Sequence, residues 1–298
     1  MSGLLPNPPV HPKRIVFFGT PEDAVPVLRE LNIAGIDIPL VVTRPERRRG
    51  RRELPSVSAV AKAAADLELE ISTEIGDALQ VGADCGVVVA YGKLIPKAVL
   101  EQLPMVNLHF SILPRWRGAA PVERAIIAGD LQTGICVMGL EEGLDTGPIY
   151  RMSETLIGEK ETAASLRKRL SVLGSKELIA AFKLGLTNPA PQSGQINYAE
   201  KIRRVDLELK WTASAEDLNR VIRVGGAWTT FRGRVLKIHE AEVEAVSDLQ
   251  QGRVRRDSVG TASYNLKCLV VQPEGKSPVT AKDWLNGARL TDEETFGV

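Results

Sequence analysis

Three short and almost wholly apolar segments limit what this chain can fold into more than any other feature. They are RIVFFG from Arg14, IPLVV from Ile38 and CGVVV from Cys85. None alternates polar with apolar residues, as a strand with one face in water does. Segments with helical patterns lie between them, such as PEDAVPVLREL from Pro21 and VSAVAKAAADLEL from Val57. Strands buried on both faces that alternate with helices predict an α/β domain with a parallel sheet.

A functional site is expected where these strands end, because ligands of open parallel sheets bind beyond the carboxyl ends of the strands. GT follows the first strand, AYG follows the third, and HFS closes a fourth strand that starts at Met105. A later strand, ICVMGL from Ile135, leads into the acidic turn EEGLDTGPI, which we expect at the same edge. Beyond it, ETAASLRKRLSVLGSKELIAAFKLGL predicts one long amphipathic helix, or two helices broken near Gly174.

A change in composition divides the chain. The segment NPAPQSGQINYAEKI, from Asn188 to Ile202, has the Pro, Gln, Ser and Gly content typical of a linker. Short segments with strand patterns follow it and predict a small β domain such as a barrel. We therefore predict an N-terminal domain at 1–188, a linker at 189–205 and a C-terminal domain at 206–298. A length of 298 residues suits two domains.

Charge and cysteine usage exclude several classes of protein. The net charge of +1 gives no global sign of a nucleic-acid binder, so any such role must come from a local patch. The three cysteines lack CxxC or CxxH spacing, which argues against structural zinc or disulfides and fits a reducing cytosol. The sequence has no apolar stretch of transmembrane length and no signal-peptide pattern at its start. We expect a soluble, cytoplasmic monomer that contains no metal.

His109 is the residue that most suggests chemistry. A histidine in such a place is often a hydrogen-bonded structural residue, but His109 is the only one of three histidines at the predicted ligand edge. Asn107 lies two residues before it on the same strand face. Asp145 lies in the acidic turn expected nearby. A base, an amide for a developing oxyanion and an orienting carboxylate suit acyl transfer. With no evident Ser or Cys nucleophile, direct transfer without a covalent enzyme intermediate is favoured.

Longer motifs around these residues resemble the methionyl-tRNA formyltransferase family. The resemblance is carried by NLHFSILPRWRGAAPVERAIIAGD and TGICVMGLEEGLDTGPI, with support from RIVFFGTPEDAVPVLREL, VVVAYGKLIP and GAWTTFRGRVLKI. It extends from about Arg14 to Leu290. The Asn-x-His and Ser-x-Leu-Pro pattern is shared by folate-dependent formyltransferases in general. RWRGAAP and GLDTGP are typical of the tRNA enzymes.

The resemblance implies a Rossmann-like formyltransferase domain with a parallel-rich sheet, and a C-terminal OB-like β-barrel that supports tRNA. It implies 10-formyltetrahydrofolate as donor and the methionyl α-amine of initiator tRNA as acceptor. By motif, Asn107, His109 and Asp145 match the catalytic trio: His109 takes the amine proton, Asn107 holds the oxyanion and Asp145 fixes the histidine. The implied folate-binding residues are Val89, Ala90, Tyr91, Leu94, Pro96, Ser111, Ile112, Leu113, Pro114, Gly139 and Gly143.

The basic run RPERRRGRRELPS, from Arg44 to Ser56, has two interpretations. Such runs are usually solvated loops, but they also contact phosphates and become ordered on binding. In the family a basic loop at this place enters the acceptor stem, so the resemblance favours the second interpretation. The predicted tRNA-binding residues are Arg44, Arg47, Arg48, Arg49, Arg51, Arg52, Arg115 and Arg117. Trp116 either packs beneath the active-site loop or stacks on the terminal adenine.

In the C-terminal domain, a tRNA-supporting face would require several cations to cluster. The candidates are Lys210, Arg220, Arg223, Arg232 and Arg234.

Two other functions remain open from the sequence. One keeps the folate chemistry and changes the acceptor to the amine of a sugar nucleotide, against which the arginine-rich run and RWRGAAP argue. The other is an RNA-binding protein with a vestigial pocket, which has no use for the trio. Binding of RNA alone would survive the substitution His109→Ala, whereas formyl transfer would not.

Overall fold

The computed structural model describes residues 5–45, 56–291 and 294–297. Within these ranges it has fifteen strands and seven α-helices. The strands are β1 (Arg14–Gly19), β2 (Asp37–Val42), β3 (Ile71–Ser72), β4 (Cys85–Val89), β5 (Met105–His109), β6 (Arg117–Gly118), β7 (Gln132–Gly139), β8 (Ile149–Leu156), β9 (Tyr198–Ala199), β10 (Trp228–Phe231), β11 (Arg234–Val243), β12 (Val254–Arg255), β13 (Ser258–Val259), β14 (Leu266–Pro273) and β15 (Val279–Thr280). The helices are α1 (Val25–Ile33), α2 (Ala59–Asp66), α3 (Lys97–Leu100), α4 (Pro121–Ala128), α5 (Ala163–Leu184), α6 (Ala215–Val224) and α7 (Ala281–Ala288).

The apolar segments of the first half form the centre of a seven-stranded sheet with the order β3-β2-β1-β4-β5-β7-β8. The five strands from β3 to β5 are parallel. Strands β4 and β5 are buried along their whole length, as their continuous apolar character requires. The parallel-rich α/β domain predicted from the sequence is therefore confirmed.

The direction of β7 differs from the expectation. It pairs antiparallel with β5, with Val106 opposite Gly139 and His109 opposite Cys136. The end of β7 therefore lies beside the start of β5, and the expectation that both strands end at the same edge is wrong. A parallel return needs a crossover helix packed on the sheet. The elements between β5 and β7 do not form such a crossover. Strand β6 pairs with β9, and α4, apart from Pro121, belongs to a second compact unit that is described below.

Two helices of this domain show how local sequence sets their ends and their packing. Helix α2 is capped by Ser58, whose Oγ accepts a hydrogen bond from the Ala61 amide at 2.9 Å, the usual N-cap arrangement. Helix α5 is a single helix of 22 residues, so the alternative of a break near Gly174 is wrong. A Cβ at Gly174 would lie 2.6 Å from Leu108 Cδ2. The glycine therefore lets the helix pack closely on β5, the strand that carries Asn107 and His109.

The chain divides into two compact units. One contains the described residues of Met1–Pro121, Gln132–Leu156 and Arg167–Ala199. The other contains those of Val122–Leu131, Ile157–Leu166 and Glu200–Val298. The second unit holds an antiparallel sheet with the order β10-β11-β14-β13-β12, in which β15 also pairs with β14. The small C-terminal β domain that the sequence predicts is therefore confirmed, and its strands are antiparallel. The boundaries predicted at 188/189 and 205/206 stay predictions.

No helix among the described residues is both long and apolar enough to cross a membrane.

Candidate active site

Strand β5 presents two polar side chains on one face. Asn107 and His109 are two residues apart, and successive strand residues point to opposite faces, so both lie on the same side. They are 9% and 5% exposed. Strands β4 and β7 flank β5 and hold it in place through main-chain pairing. A buried strand therefore fixes the amide and the imidazole together.

Asp145 completes the cluster. Its Oδ1 accepts a long hydrogen bond of 3.4 Å from Asn107 Nδ2, and its Oδ2 lies 3.6 Å from His109 Nδ1. The same Oδ2 accepts a hydrogen bond of 2.7 Å from the Gly118 amide. Although β7 ends beside the start of β5, the loop that follows it turns back and brings the carboxylate to the two predicted partners.

The second ring nitrogen of His109 fixes the tautomer in this arrangement. His109 Nε2 lies 2.8 Å from the carbonyl oxygen of Trp116. Because a carbonyl oxygen only accepts, Nε2 carries the hydrogen. A neutral ring then has its lone pair on Nδ1, the nitrogen that faces Asp145. A proton taken up there would create an imidazolium directly beside a carboxylate, which stabilises the cation.

Gln192 and Arg117 extend the site in a way that the sequence did not indicate. Gln192 Nε2 donates to the carbonyl oxygens of Asp145 and Gly147, both at 2.8 Å. Its Oε1 accepts from Arg117 Nε at 3.0 Å and from Nη2 at 2.6 Å. Gln192 lies within the segment whose composition predicts a linker, and that composition carries no signal of a contact with the site.

Ser111 and Cys136, which neighbour His109 along the chain and across the sheet, are not ready nucleophiles. Ser111 is fully buried, and its hydroxyl donates to the Arg115 carbonyl at 2.6 Å. Cys136 pairs with His109 across the sheet, and burial raises the pKa of its thiol to about 11. A thiol with this pKa stays protonated at neutral pH. The geometry agrees with transfer that does not pass through a covalent enzyme intermediate.

Comparisons with known proteins decide the family. Residues 13–182 match the formyl transferase family, and residues 201–289 match the formyl transferase C-terminal domain. A methionyl-tRNA formyltransferase from Jannaschia sp. strain CCS1 is 40% identical over 93% of this chain and 97% of its own length. The protein of that name from Streptomyces coelicolor is also 40% identical, over 95% of this chain and 99% of its own length.

The chain belongs to the methionyl-tRNA formyltransferase family.

Solved structures show the same fold at low sequence identity. The N-formyltransferase from Helicobacter canadensis, in complex with folinic acid and dTDP-3-aminofucose, has a TM-score of 0.66 at 13% identity, and the match covers 87% of this chain and 99% of that one. HypX from Aquifex aeolicus, in complex with tetrahydrofolic acid, has a TM-score of 0.65 at 14% identity over 95% of this chain. This chain spans 50% of the length of HypX. These likenesses bear on the fold alone.

The folate-binding residues implied for this family member differ in accessibility. Val89 and Tyr91 are core residues, 0% and 2% exposed, and the Tyr91 ring packs edge-on against Phe18. Ala90 between them is exposed and has a left-handed φ of 47°. Leu94 is 78% exposed. Of these four residues, Ala90 and Leu94 therefore present their side chains to solvent, whereas Val89 and Tyr91 do not.

The remaining implied residues fall into two groups. Ser111, Leu113, Pro114 and Gly139 are buried, and Ile112 is half-buried. Pro96 and Gly143 are exposed in loops. Among the residues that the structure describes, no group of three or more His, Cys, Asp or Glu side chains could hold a metal ion.

The arginines predicted to bind tRNA occupy different environments. Arg44 Nη1 donates to the Gly92 carbonyl at 3.4 Å, and Gly92 directly follows Tyr91, one of the implied folate-binding residues. The guanidinium of Arg115 lies 4.4 Å from the centre of the Trp116 ring. Arg117 is 8% exposed and bound to Gln192, which gives its guanidinium a place inside the site. The other predicted members lie outside the described residues: Arg47, Arg48, Arg49, Arg51 and Arg52.

In the C-terminal unit, four of the five cations that the sequence singled out, all except Lys210, are engaged locally. Arg220 pairs with Asp217 at 2.7 Å, Arg232 pairs with Glu294, and Arg234 lies 3.7 Å from Glu274. Arg223 donates to two backbone carbonyls. A different basic group surrounds a cleft of about 920 Å³, and we call it the basic cleft. Its cations are Arg253, Arg255, Arg256, Lys267 and Lys282.

Proposed function

We propose that this chain transfers the formyl group of 10-formyltetrahydrofolate to the α-amine of methionyl initiator tRNA. The observation that carries the proposal is the buried cluster of Asn107, His109 and Asp145. Relatives about 40% identical over nearly their whole length, and named methionyl-tRNA formyltransferase, support the choice of acceptor. A cytoplasmic location and a monomeric state belong to the same proposal.

The cluster supplies each part of a direct transfer. The amine nitrogen attacks the formyl carbon, and the bond to the folate nitrogen then breaks. Asn107 has two N–H groups, of which Asp145 engages one, so the second is left for the developing oxyanion. Hydrogen bonding of this kind contributes roughly 10²- to 10³-fold to the rate.

His109 accepts and passes on the proton that the reaction releases. The attacking amine loses a proton to His109 Nδ1, and the nearby Asp145 carboxylate stabilises the imidazolium that forms. The proton is then relayed to the departing folate nitrogen, so charge and atoms balance. General acid–base help of this kind contributes on the order of 10²- to 10⁴-fold.

The acceptor requires an RNA-binding surface. We assign this role to Arg44 and Arg115 beside the site, to the arginine-rich run, and to the basic cleft of the C-terminal unit. Phosphate neutralisation by lysine and arginine supplies most of such binding without sequence specificity.

Formyl transfer from 10-formyltetrahydrofolate to charged initiator tRNA tests the proposal. The wild type is expected to transfer, and His109→Ala to lose about 10²-fold or more of kcat. His239→Ala is the matched control, since His239 lies in β11 and bonds Gln272. Transfer only to an amino-sugar nucleotide would keep the chemistry and overturn the acceptor. Met-tRNA binding without any transfer by the wild type would favour the vestigial pocket.

A further inference from the structure

The side-chain amide of Gln192 uses its full hydrogen-bonding capacity. Both hydrogens of Nε2 are donated, one to the Asp145 carbonyl and one to the Gly147 carbonyl. Both lone pairs of Oε1 accept from the buried guanidinium of Arg117. An exchange of oxygen and nitrogen would place N–H against guanidinium and oxygen against two carbonyls. The surroundings therefore fix the orientation of the amide.

The backbone that Gln192 holds is in an unfavourable conformation. Asp145 has a φ of 51°, in the left-handed region that residues with a Cβ rarely adopt. Such conformations persist where the surrounding structure over-determines them. On the other side of the loop, a Cβ at Gly147 would lie 1.9 Å from the Gly139 carbonyl, so the loop is pressed against β7. Gln192 forms hydrogen bonds with the main chain at both of these residues, Asp145 and Gly147.

The contacts close into a ring around the Asp145 carboxylate. Gly118 donates to Oδ2, and Gly118 directly follows Arg117 in β6. Arg117 holds Gln192, and Gln192 holds the Asp145 main chain. Strand β9 pairs with β6, with Arg117 opposite Tyr198, and the Arg117 amide donates at 2.9 Å to the carbonyl of Asn197, the residue before β9. Neighbouring residues of β6 thus hold both parts of Asp145. Gly118 binds its carboxylate directly, and Arg117 holds its main chain through Gln192.

We infer that Gln192, braced by Arg117, is a positioning residue for formyl transfer that sets the Asp145 carboxylate beside His109. The reaction named here rests on the proposed function. The amide of Gln192 has no hydrogen-bonding capacity left for a substrate, so its effect passes through Asp145. Loss of Gln192 therefore lowers kcat and leaves the KM values for both substrates nearly unchanged.

Three variants measure this effect. Gln192→Ala removes all four hydrogen bonds, and a carboxylate displaced by about an ångström is expected to cost roughly 10- to 100-fold in kcat. Gln192→Glu has the same length and still accepts from Arg117, but it cannot donate to the two carbonyls, so it should lose activity similarly. Gln195→Ala is the matched control, since Gln195 is an exposed glutamine in the same segment. Wild-type kcat in Gln192→Glu would overturn the inference.

A double-mutant cycle separates positioning from a general loss of structure. If Gln192 acts through the Asp145 carboxylate, Gln192→Ala should lower kcat by less than about twofold in an Asp145→Asn background, because coupled residues do not act additively. A residue that only supports the fold would cost the same factor in both backgrounds. Multiplicative losses would therefore refute the positioning role.

A measurement without substrates keeps this inference apart from the proposed function. The chain has three histidines, so ¹⁵N-histidine labelling gives few ring signals to assign. Gln192→Ala should shift the ring signals of His109 and leave those of His11 and His239 in place, whereas Gln195→Ala should shift none. Unchanged His109 signals would sink the inference even if the wild type is active. Shifted signals in a protein that does not formylate Met-tRNA would uphold it while the proposed function fails.

Discussion

Gly118 occupies a position in the site that requires a glycine. Its φ is 120°, in the left-handed half of backbone space, and a Cβ there would lie 2.8 Å from the Ala199 carbonyl oxygen. Real Cβ atoms do not approach backbone oxygen so closely, so β6 and β9 would have to separate. The Gly118 amide that donates to Asp145 would move with them.

Gly118→Ala is therefore expected to reduce both stability and activity. The free energy of unfolding should fall by about 1–3 kcal/mol, the usual cost of strain at a special backbone position. We expect kcat to fall roughly tenfold or more as the Asp145 carboxylate is displaced. Urea denaturation and the formyl transfer assay measure the two effects.

Gly35→Ala is the control for backbone strain alone. Gly35 has a φ of 76°, and nothing lies within 4 Å of a Cβ built there. The Gly35→Ala substitution should lower the free energy of unfolding by about 1 kcal/mol and leave kcat unchanged. Equal kcat losses in the two variants would show that the Gly118 effect is not local to the site.

At the same scale, the sequence predicts some of the site residues and misses others. Asn107 and His109 were predictable because the two-residue period of a strand places them on one face. Gln192 was not predictable. Its segment has the polar, proline-containing composition of a linker, and its contacts depend on where β6 and β9 meet in space. The joining of distant loops has no local signature in sequence.

Among the elements, the short 3-10 helix Arg204–Leu207 depends on one carboxylate. The Arg203 amide donates to Asp206 Oδ2 at 2.9 Å, and Arg124 donates to the same oxygen at 3.0 Å. The hydrogen bond from the Arg203 main chain, followed by that from Arg124, holds the pKa of Asp206 below its ordinary value of 3.8. A carboxyl whose pKa is lowered by folding stabilises the folded state above its unfolded pKa. That stabilisation is lost as the pH falls through the folded pKa.

Asp206→Asn removes this charge and keeps the shape of the side chain. At pH 7 the free energy of unfolding should fall by about 1 kcal/mol, because the amide oxygen still accepts these hydrogen bonds but without the extra strength that the charge gives them. The difference from the wild type should shrink as the pH drops below about 4, because the wild-type carboxyl then takes up a proton as well. Urea titrations in steps from pH 7 to pH 3 measure this difference. A constant difference across the range would show that the charge is not responsible.

The direction of β7 shows why elements were easier to predict than their pairing. Its apolar pattern predicts a buried strand, and a strand is found at Gln132–Gly139. Burial on both faces is the same for a parallel and an antiparallel strand in mid-sheet, so the pattern does not fix direction. Asp145 nevertheless reaches the site, because its loop turns back after β7 rather than because the two strands end at one edge. The contact between Asp145 and Asn107 is found, but the returning loop brings it about and not a shared strand edge.

For the whole molecule, net charge says little about binding of RNA. The chain has 38 Lys and Arg residues against 37 Asp and Glu residues, so attraction to phosphate must come from where the cations lie. Several cations singled out by the sequence are engaged with acids or carbonyls, such as Arg220 with Asp217 and Arg232 with Glu294. The basic cleft brings five cations around one cavity, although Arg255 pairs with Asp248 and Lys267 lies 3.9 Å from Asp257. The arginine-rich run from Arg44 is the second basic group of the chain.

The salt dependence of tRNA binding distinguishes the contributions of these two groups. The logarithm of the binding constant falls with the logarithm of salt concentration, with a slope of roughly 0.7–0.9 per phosphate neutralised. We compare Arg47→Ala/Arg48→Ala/Arg49→Ala in the run with Arg256→Ala/Lys282→Ala in the basic cleft. Each contact removed should reduce the slope by about one.

Lys168→Ala, an exposed lysine in α5, serves as the control and should leave the slope as it is. If both groups contact RNA at once, the residues replaced in the two sets of substitutions contact different phosphates. Their reductions in slope should then add when they are combined. A slope unchanged by the cleft substitutions would restrict RNA contact to the formyltransferase domain, and a slope unchanged by the arginine substitutions would assign the run to a solvated loop. Additive reductions would instead show that both groups contribute to the binding of tRNA.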